Sequence, residues 1–154
     1  MALGAWGRVA LVAAGVVALD QATKALVRSS VALGDHDGVL PGVEIVHVRN
    51  EGVAFSRFSG GGTIVAVIVG AALVALVAYF ATHLDKPLVW LPTGMLLGGA
   101  LGNVIDRIRY GAVTDFIKLP AWPAFNVADI SITLGVLVLL YVTERPRNAA
   151  PSDA

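Results

Sequence analysis

Long apolar stretches alternate with short polar ones along this chain, and the apolar stretches have the length of a bilayer. A spanning helix needs roughly 20 consecutive apolar residues. Four runs approach that length: about Val9 to Val27, Thr63 to Thr82, Leu88 to about Ile105, and Val127 to Val142. The second carries no charge, whereas the first holds Asp20 and Lys24 in its last third. Only His83-Leu84-Asp85-Lys86-Pro87 separates the second from the third, which predicts a tight antiparallel hairpin. The pattern predicts an all-α membrane protein with four transmembrane helices, built as one domain over residues 1–154. Four spans put the two long connections, about 28–62 and 106–126, on one side of the membrane. Both termini and the short hairpin then fall on the other, and the polar tail from Glu144 to Ala154 is expected to fray.

Local signals refine the first connection. Asp37-Gly38 and Pro41-Gly42 read as turns, and Val43-Glu44-Ile45-Val46-His47-Val48 reads as a strand. Asn50-Glu51-Gly52 predicts a further turn, Val53-Ala54-Phe55 a returning strand, and Gly60-Gly61-Gly62 a flexible lead into the second helix. The second connection, Asp106 to Phe125, reads as a loop; its Trp122 suits a headgroup interface. Arg8 ahead of an apolar run has the look of a cleavable signal peptide. Asp20, Gln21, Thr23 and Lys24 follow directly with no small-residue cleavage site, so the run is expected to stay as a helix.

Composition agrees with a membrane setting. Of 154 residues, 56% are hydrophobic and 14% charged, against about 25% charged in a soluble domain. Mean hydropathy is +0.77. A net charge of zero gives no reason to expect a nucleic-acid partner, and the absence of cysteine excludes disulfides, thiol catalysis and cysteine-ligated metal. Charge bias leaves orientation open. Lys24, Arg28, Arg49, Arg57, Arg107, Arg109 and Lys118 lie on the long-loop side, against Arg8, Lys86, Arg145 and Arg147 opposite. Counted plainly, that would put the long loops in the cytoplasm; cations tied into a site would make the count misleading.

Two aspartates change the picture most. Asp115 lies in Val113-Thr114-Asp115-Phe116-Ile117, and Asp129 lies fourteen residues later at the mouth of the last apolar run. A carboxylate near hydrocarbon costs at least about 2.5–3.5 kcal/mol on insertion scales. Two at one membrane edge call for chemistry, and a pair sharing one proton is the working part of an aspartic protease. Around them stand residues with structural readings of their own. Asp20 and Lys24 are four apart and able to pair on one helix face. Gly94, Gly98 and Gly102 form a small-residue stripe that lets a helix approach. Gly99, Asn103 and Arg107 form a second stripe whose polar members need partners. Asp106 is expected to pair with Arg107 or Arg109 in a structural role. Asn126 suits an N-cap for the last helix, with Asp129 completing its first turn.

In order along the chain, these blocks resemble the lipoprotein signal peptidases (signal peptidase II), bacterial membrane aspartic proteases. The resemblance rests on Asp20-Gln21-Ala22-Thr23-Lys24, Asn50-Glu51-Gly52-Val53-Ala54-Phe55, Gly99-Ala100-Leu101-Gly102-Asn103 with Asp106-Arg107, Val113-Thr114-Asp115-Phe116, and Phe125-Asn126-Val127-Ala128-Asp129. It implies four transmembrane helices in the bacterial cell membrane, both termini cytoplasmic, and the active site on the outer face. It further implies a small extracytoplasmic β-cradle formed mainly by the first outer loop. The implied reaction removes signal peptides from diacylglyceryl-modified prolipoproteins, just before the lipidated cysteine. The resemblance carries the catalytic dyad to Asp115 and Asp129, and substrate binding or site support to Asp20, Lys24, Asn50, Gly99, Asn103, Arg107 and Asn126. Membrane lipid and globomycin-type inhibitors are implied partners, and the mechanism requires neither cofactor nor metal.

Other chemistries fit less well. A Ser/Lys dyad of Lys24 with Ser29 or Ser30 has poor facing geometry on a helix. His36, His47 and His83 are scattered, with no H-E-x-x-H for a metalloprotease. The alternative outside protease chemistry is a small transporter or proton-coupled channel subunit. That would place its acids in mid-span, whereas Asp20, Asp115 and Asp129 lie toward the loop-bearing ends.

Overall fold

The computed structural model describes residues 3–51, 61–83 and 86–144. Their element order is α1 (Ala5–Ser30), β1 (His36–Leu40), β2 (Val43–Asn50), α2 (Gly61–Thr82), α3 (Trp90–Tyr110), β3 (Val113–Lys118) and α4 (Val127–Glu144). Each helix begins close to where its apolar run begins, but α1 and α3 run past the apolar residues into charged ones. α3 ends five residues beyond the expected Ile105, because Asp106 and Arg107 continue the helix rather than open a loop. It stops at Gly111, whose left-handed φ of 74° lets its N–H reach the Arg107 carbonyl and turns the chain into β3.

By length and composition, α1 and α4 are the helices among the described residues that are apolar enough to cross a membrane. α2 contributes a shorter apolar segment, Gly70–Thr82. The apolar surface faces outward: Leu11, Leu26, Val74 and Leu137 are all more than half exposed. The interior is small and partly polar, with Asp20, Lys24, Asp106 and Asn126 at 0% exposure. An apolar exterior around a charged interior suits a lipid solvent.

α3 is the central helix, and its glycine stripe and Gly99 face two different partners. A Cβ at Gly94 or Gly98 would sit within 3 Å of α1 atoms, including the Val9 and Ala13 carbonyls. A Cβ at Gly99 would come 2.6 Å from the Ala128 carbonyl of α4. Glycine thus brings both neighbours to backbone contact with α3.

The sheet departs from the sequence reading in two ways. Asp37-Gly38 is not a turn: it lies inside β1, opposite Ile45 and Glu44, and the reversal occurs at Pro41-Gly42, where Gly42 has φ 78°. The second connection is not all loop. β3 pairs antiparallel with β2 (Val48↔Asp115, Asn50↔Val113), completing a three-stranded sheet in the order β1-β2-β3. An irregularity between Ile45 and Val48 interrupts this pairing, and Val27, Val31 and Phe116 pack the sheet onto the end of α1. The expected strand Val53-Ala54-Phe55, Gly60, part of the 83–87 hairpin and the tail beyond Glu144 lie outside the described residues.

Candidate active site

Asp129 sits where α4 begins, and the local sequence fixes it there. Asn126 precedes the helix; its Oδ1 accepts the Asp129 N–H at 3.0 Å, and Asp129 Oδ2 accepts the Asn126 N–H at 3.2 Å. This reciprocal capping box satisfies two donors at a helix start that would otherwise be orphaned. The structural role expected of Asn126 and Asp129 is therefore real, and it aims the remaining carboxylate oxygen at the site. That oxygen, Oδ1, accepts Asn103 Nδ2 from α3 at 2.9 Å.

Asp115 comes from β3 and is 2% exposed. Its Oδ1 accepts Asn126 Nδ2 at 2.7 Å and its Oδ2 accepts Asn50 Nδ2, from β2, at 2.9 Å. Asn126 also donates to Asn103 Oδ1 at 3.2 Å. The two aspartates are thus joined through a pair of amides, with Asn126 touching both and Asn103 completing the link. Amide orientation follows from charge: Asn103 Oδ1 faces the Lys24 ammonium at 2.9 Å, so its NH₂ must face Asp129.

Burial raises the Asp115 carboxyl above its ordinary value. The Asn50 and Asn126 hydrogen bonds oppose that shift, the neighbouring Asp129 adds to it, and Lys24 opposes it; burial prevails. Asp115 therefore keeps a proton to higher pH than an ordinary aspartate.

Behind the amides lies a fully buried charge cluster. Lys24 Nζ is 2.9 Å from Asp20 and 3.4 Å from Asp106, all three at 0% exposure. Arg28 approaches Asp106 at 3.8 Å while donating to Thr114 Oγ1 and lying over the Tyr110 ring. The Asp20–Lys24 pair is as the four-residue spacing predicts. Asp106 is not: it pairs with Lys24 and Arg28, not with Arg107 or Arg109, because it faces α1 while those arginines point outward. Arg107 is exposed, and its hydrogen bond among the described residues goes to the Asn103 carbonyl, one turn back.

The structure thus gathers Asp20, Lys24, Asn50, Asn103, Asp115, Asn126 and Asp129 into one hydrogen-bonded network, with Gly99 closing α3 onto Ala128. Gln21 is a participant that sequence reasoning missed: its Nε2 donates to Asp20, the Gly102 carbonyl and Asp106 at 3.0–3.1 Å. These contacts cross more than eighty residues of sequence; adjacency to Asp20 was the one local hint.

The profile of Signal peptidase (SPase) II matches residues 12–144. The chain belongs to the signal peptidase II family. A lipoprotein signal peptidase of Solibacter usitatus is 41% identical over 151 residues, covering 90% of this chain and 92% of that protein. One from Moorella thermoacetica is 38% identical over 133 residues, covering 85% and 89%. A bacterial membrane enzyme solved by the in meso method at 1.9 Å superposes with a TM-score of 0.78 at 34% identity, covering 92% of this chain and 95% of that one. Membership makes the protein a bacterial membrane peptidase, and the transporter alternative is not favoured.

Proposed function

We propose that this signal peptidase II family member is an aspartic endopeptidase acting on diacylglyceryl-modified prolipoproteins, cutting before the lipidated cysteine with Asp115 and Asp129 as its dyad. The observation that carries this reading is the amide bridge: two carboxylates from different elements converge on Asn126, half inside a charged interior. Asp129 is the more open member and takes the role of base, while burial of Asp115 favours giving it the shared proton.

In the forward step, Asp129 removes a proton from water as the water oxygen bonds to the scissile carbonyl carbon. Asp115 gives its proton to the carbonyl oxygen, leaving a neutral tetrahedral diol. As the carbon–nitrogen bond breaks, Asp129 passes its proton to the departing amine and Asp115 recovers one from the diol. Water is consumed and both carboxyls return to their starting states. Asn50, Asn103 and Asn126 hold the carboxyls in place, Asp20 and Lys24 support them from behind, and Gly99 allows the helix approach. The exposed guanidinium of Arg107 is assigned to substrate binding.

The same reading takes the chain as one domain, 1–154, crossing the bacterial cell membrane four times with both termini cytoplasmic. The sheet then forms a cradle at the outer face, where substrate lipid stays in hydrocarbon while water reaches the dyad. The pairing of β2 with β3 supports this, because it joins the two long connections on one side. Globomycin-type inhibitors are expected to compete with substrate.

The test is cleavage of a diacylglyceryl-modified prolipoprotein in detergent by wild type, Asp115→Asn and Asp129→Asn, read as a gel shift. Wild type should cleave, and both folded variants should not. Wild-type turnover by either variant would overturn the dyad.

A further inference from the structure

Two buried carboxylates in this molecule do the same thing to two different elements. Asp20 Oδ1 accepts the backbone N–H of Ala128 at 3.0 Å, and Ala128 immediately precedes Asp129. Asp106 Oδ2 accepts the backbone N–H of Thr114 at 2.9 Å, and Thr114 immediately precedes Asp115. Both carboxylates are at 0% exposure, and Lys24 touches both. Gln21 Nε2 spans the pair as well. Each member of the proposed dyad thus has a charged anchor on the peptide just before it, and one lysine ties the anchors together.

From this we infer that Asp106 is a positioning residue for Asp115, the counterpart of Asp20 for Asp129. The inference rests on the dyad reading above. A purely structural part for Asp106 would need only its ion pairs to Lys24 and Arg28. The Thr114 contact adds something those pairs do not supply. The Thr114 N–H is held by a side chain of α3, and so the strand carrying Asp115 is fixed to the helix whose Asn103 holds Asp129. A carboxylate acceptor in a dry setting makes a stronger hydrogen bond than an amide carbonyl does.

Two substitutions separate the parts. Asp106→Asn keeps an acceptor oxygen and removes the charge; Asp106→Glu keeps the charge and moves the oxygens by one methylene. Displacing a reacting group by about 1 Å costs on the order of 100-fold in rate. Asp106→Glu should lower kcat by about that factor with KM changed less than about threefold, because substrate binding does not use the anchor. Asp106→Asn should lose less, since the acceptor remains.

The experiment measures kcat and KM for both variants and for Asp115→Asn, normalised to folded protein by a thermal melt in detergent. A kcat loss at near-constant KM in folded Asp106→Glu supports the inference. Wild-type kcat per folded molecule in Asp106→Glu, or loss confined to KM, overturns it. Failure of both variants to fold overturns it too, by making Asp106 a stability residue alone. If Asp115→Asn itself cleaves at wild-type rate, the dyad reading fails first, and that outcome is distinct from the others.

Discussion

A carboxyl held by two amides and pressed into a dry interior has opposing forces acting on its proton, and Asp115 is such a group. Burial raises its pKa while the hydrogen bonds from Asn50 and Asn126 restrain the rise. The sign of a pH effect follows. Folding makes this carboxyl bind its proton more tightly than the unfolded chain does. Its contribution to stability is therefore fully present below the ordinary value of 3.8 and is lost as pH rises through the raised value. For turnover, the proposed one-proton state fails on the alkaline side when Asp115 ionises. Asn50→Ala removes one restraint, so the alkaline limb of its kcat profile should move to higher pH; an unmoved or lowered limb contradicts the assignment. Lys24 is the second sensitive residue. Lys24→Ala leaves Asp20 and Asp106 buried, with the partly exposed Arg28 paired to Asp106 alone among the described residues. Breaking such a buried arrangement costs about 3–5 kcal/mol, which a thermal melt in detergent should register as a large loss of Tm. The aspartates, Lys24 and the asparagines were legible as residue types because charge and amide in a lipid-soluble chain demand partners. Which partners they found was not, since Asp106 could meet arginines on its own helix or reach across to α1, and only the packing decides.

At the scale of elements, glycine placement determines how close α3 comes to its neighbours. The Gly94, Gly98 and Gly102 stripe predicted close approach and delivers it toward α1, and Gly99 on the polar stripe does the same toward α4. Gly99→Ala would set a methyl 2.6 Å from the Ala128 carbonyl. Overpacking of this kind costs about 1–3 kcal/mol, and here it pushes on the peptide before Asp129, so activity should fall at least tenfold along with Tm. Gly15→Ala is the contrast: nothing lies within 4 Å of the added methyl, and both quantities should hold or improve slightly. The helices were legible because 20-residue apolar runs have few other uses. β3 was missed for the opposite reason. Val113–Lys118 is a short run with no alternation, and it becomes a strand because β2 is there to pair with it. A strand whose partner lies some seventy residues away leaves little local trace.

Over the whole molecule, ion pairing takes up part of the cation excess on the long-loop side. Lys24 is buried against two aspartates, Arg28 engages Asp106 and Tyr110, and Arg49 donates to the Tyr110 carbonyl. Lys118 donates to the Trp122 carbonyl. Arg57 lies outside the described residues. The two cations paired with carboxylates weigh little in a topological bias, whereas Arg107 and Arg109 are exposed, so the outer placement of the long connections stands as part of the proposal and is open to direct test. The native chain has no cysteine, so single cysteines report without background. A cysteine at Val39, exposed on β1, should react with a membrane-impermeant maleimide in intact spheroplasts. One at Leu3 should react only after lysis. The reverse pattern would invert the proposed topology.

The capping box at Asn126 and Asp129 bears on how a bound substrate is to be caught. Altering Asp129 disturbs the opening turn of α4 along with the proposed base, so an inert Asp129 variant confounds lost chemistry with a loosened helix. Asp115 receives its hydrogen bonds from side-chain amides and starts no helix. For crystallography or crosslinking of a stalled complex, Asp115→Asn is the variant that should preserve the architecture around an uncut peptide, with the Asn50 amide turned so that its oxygen accepts the new NH₂.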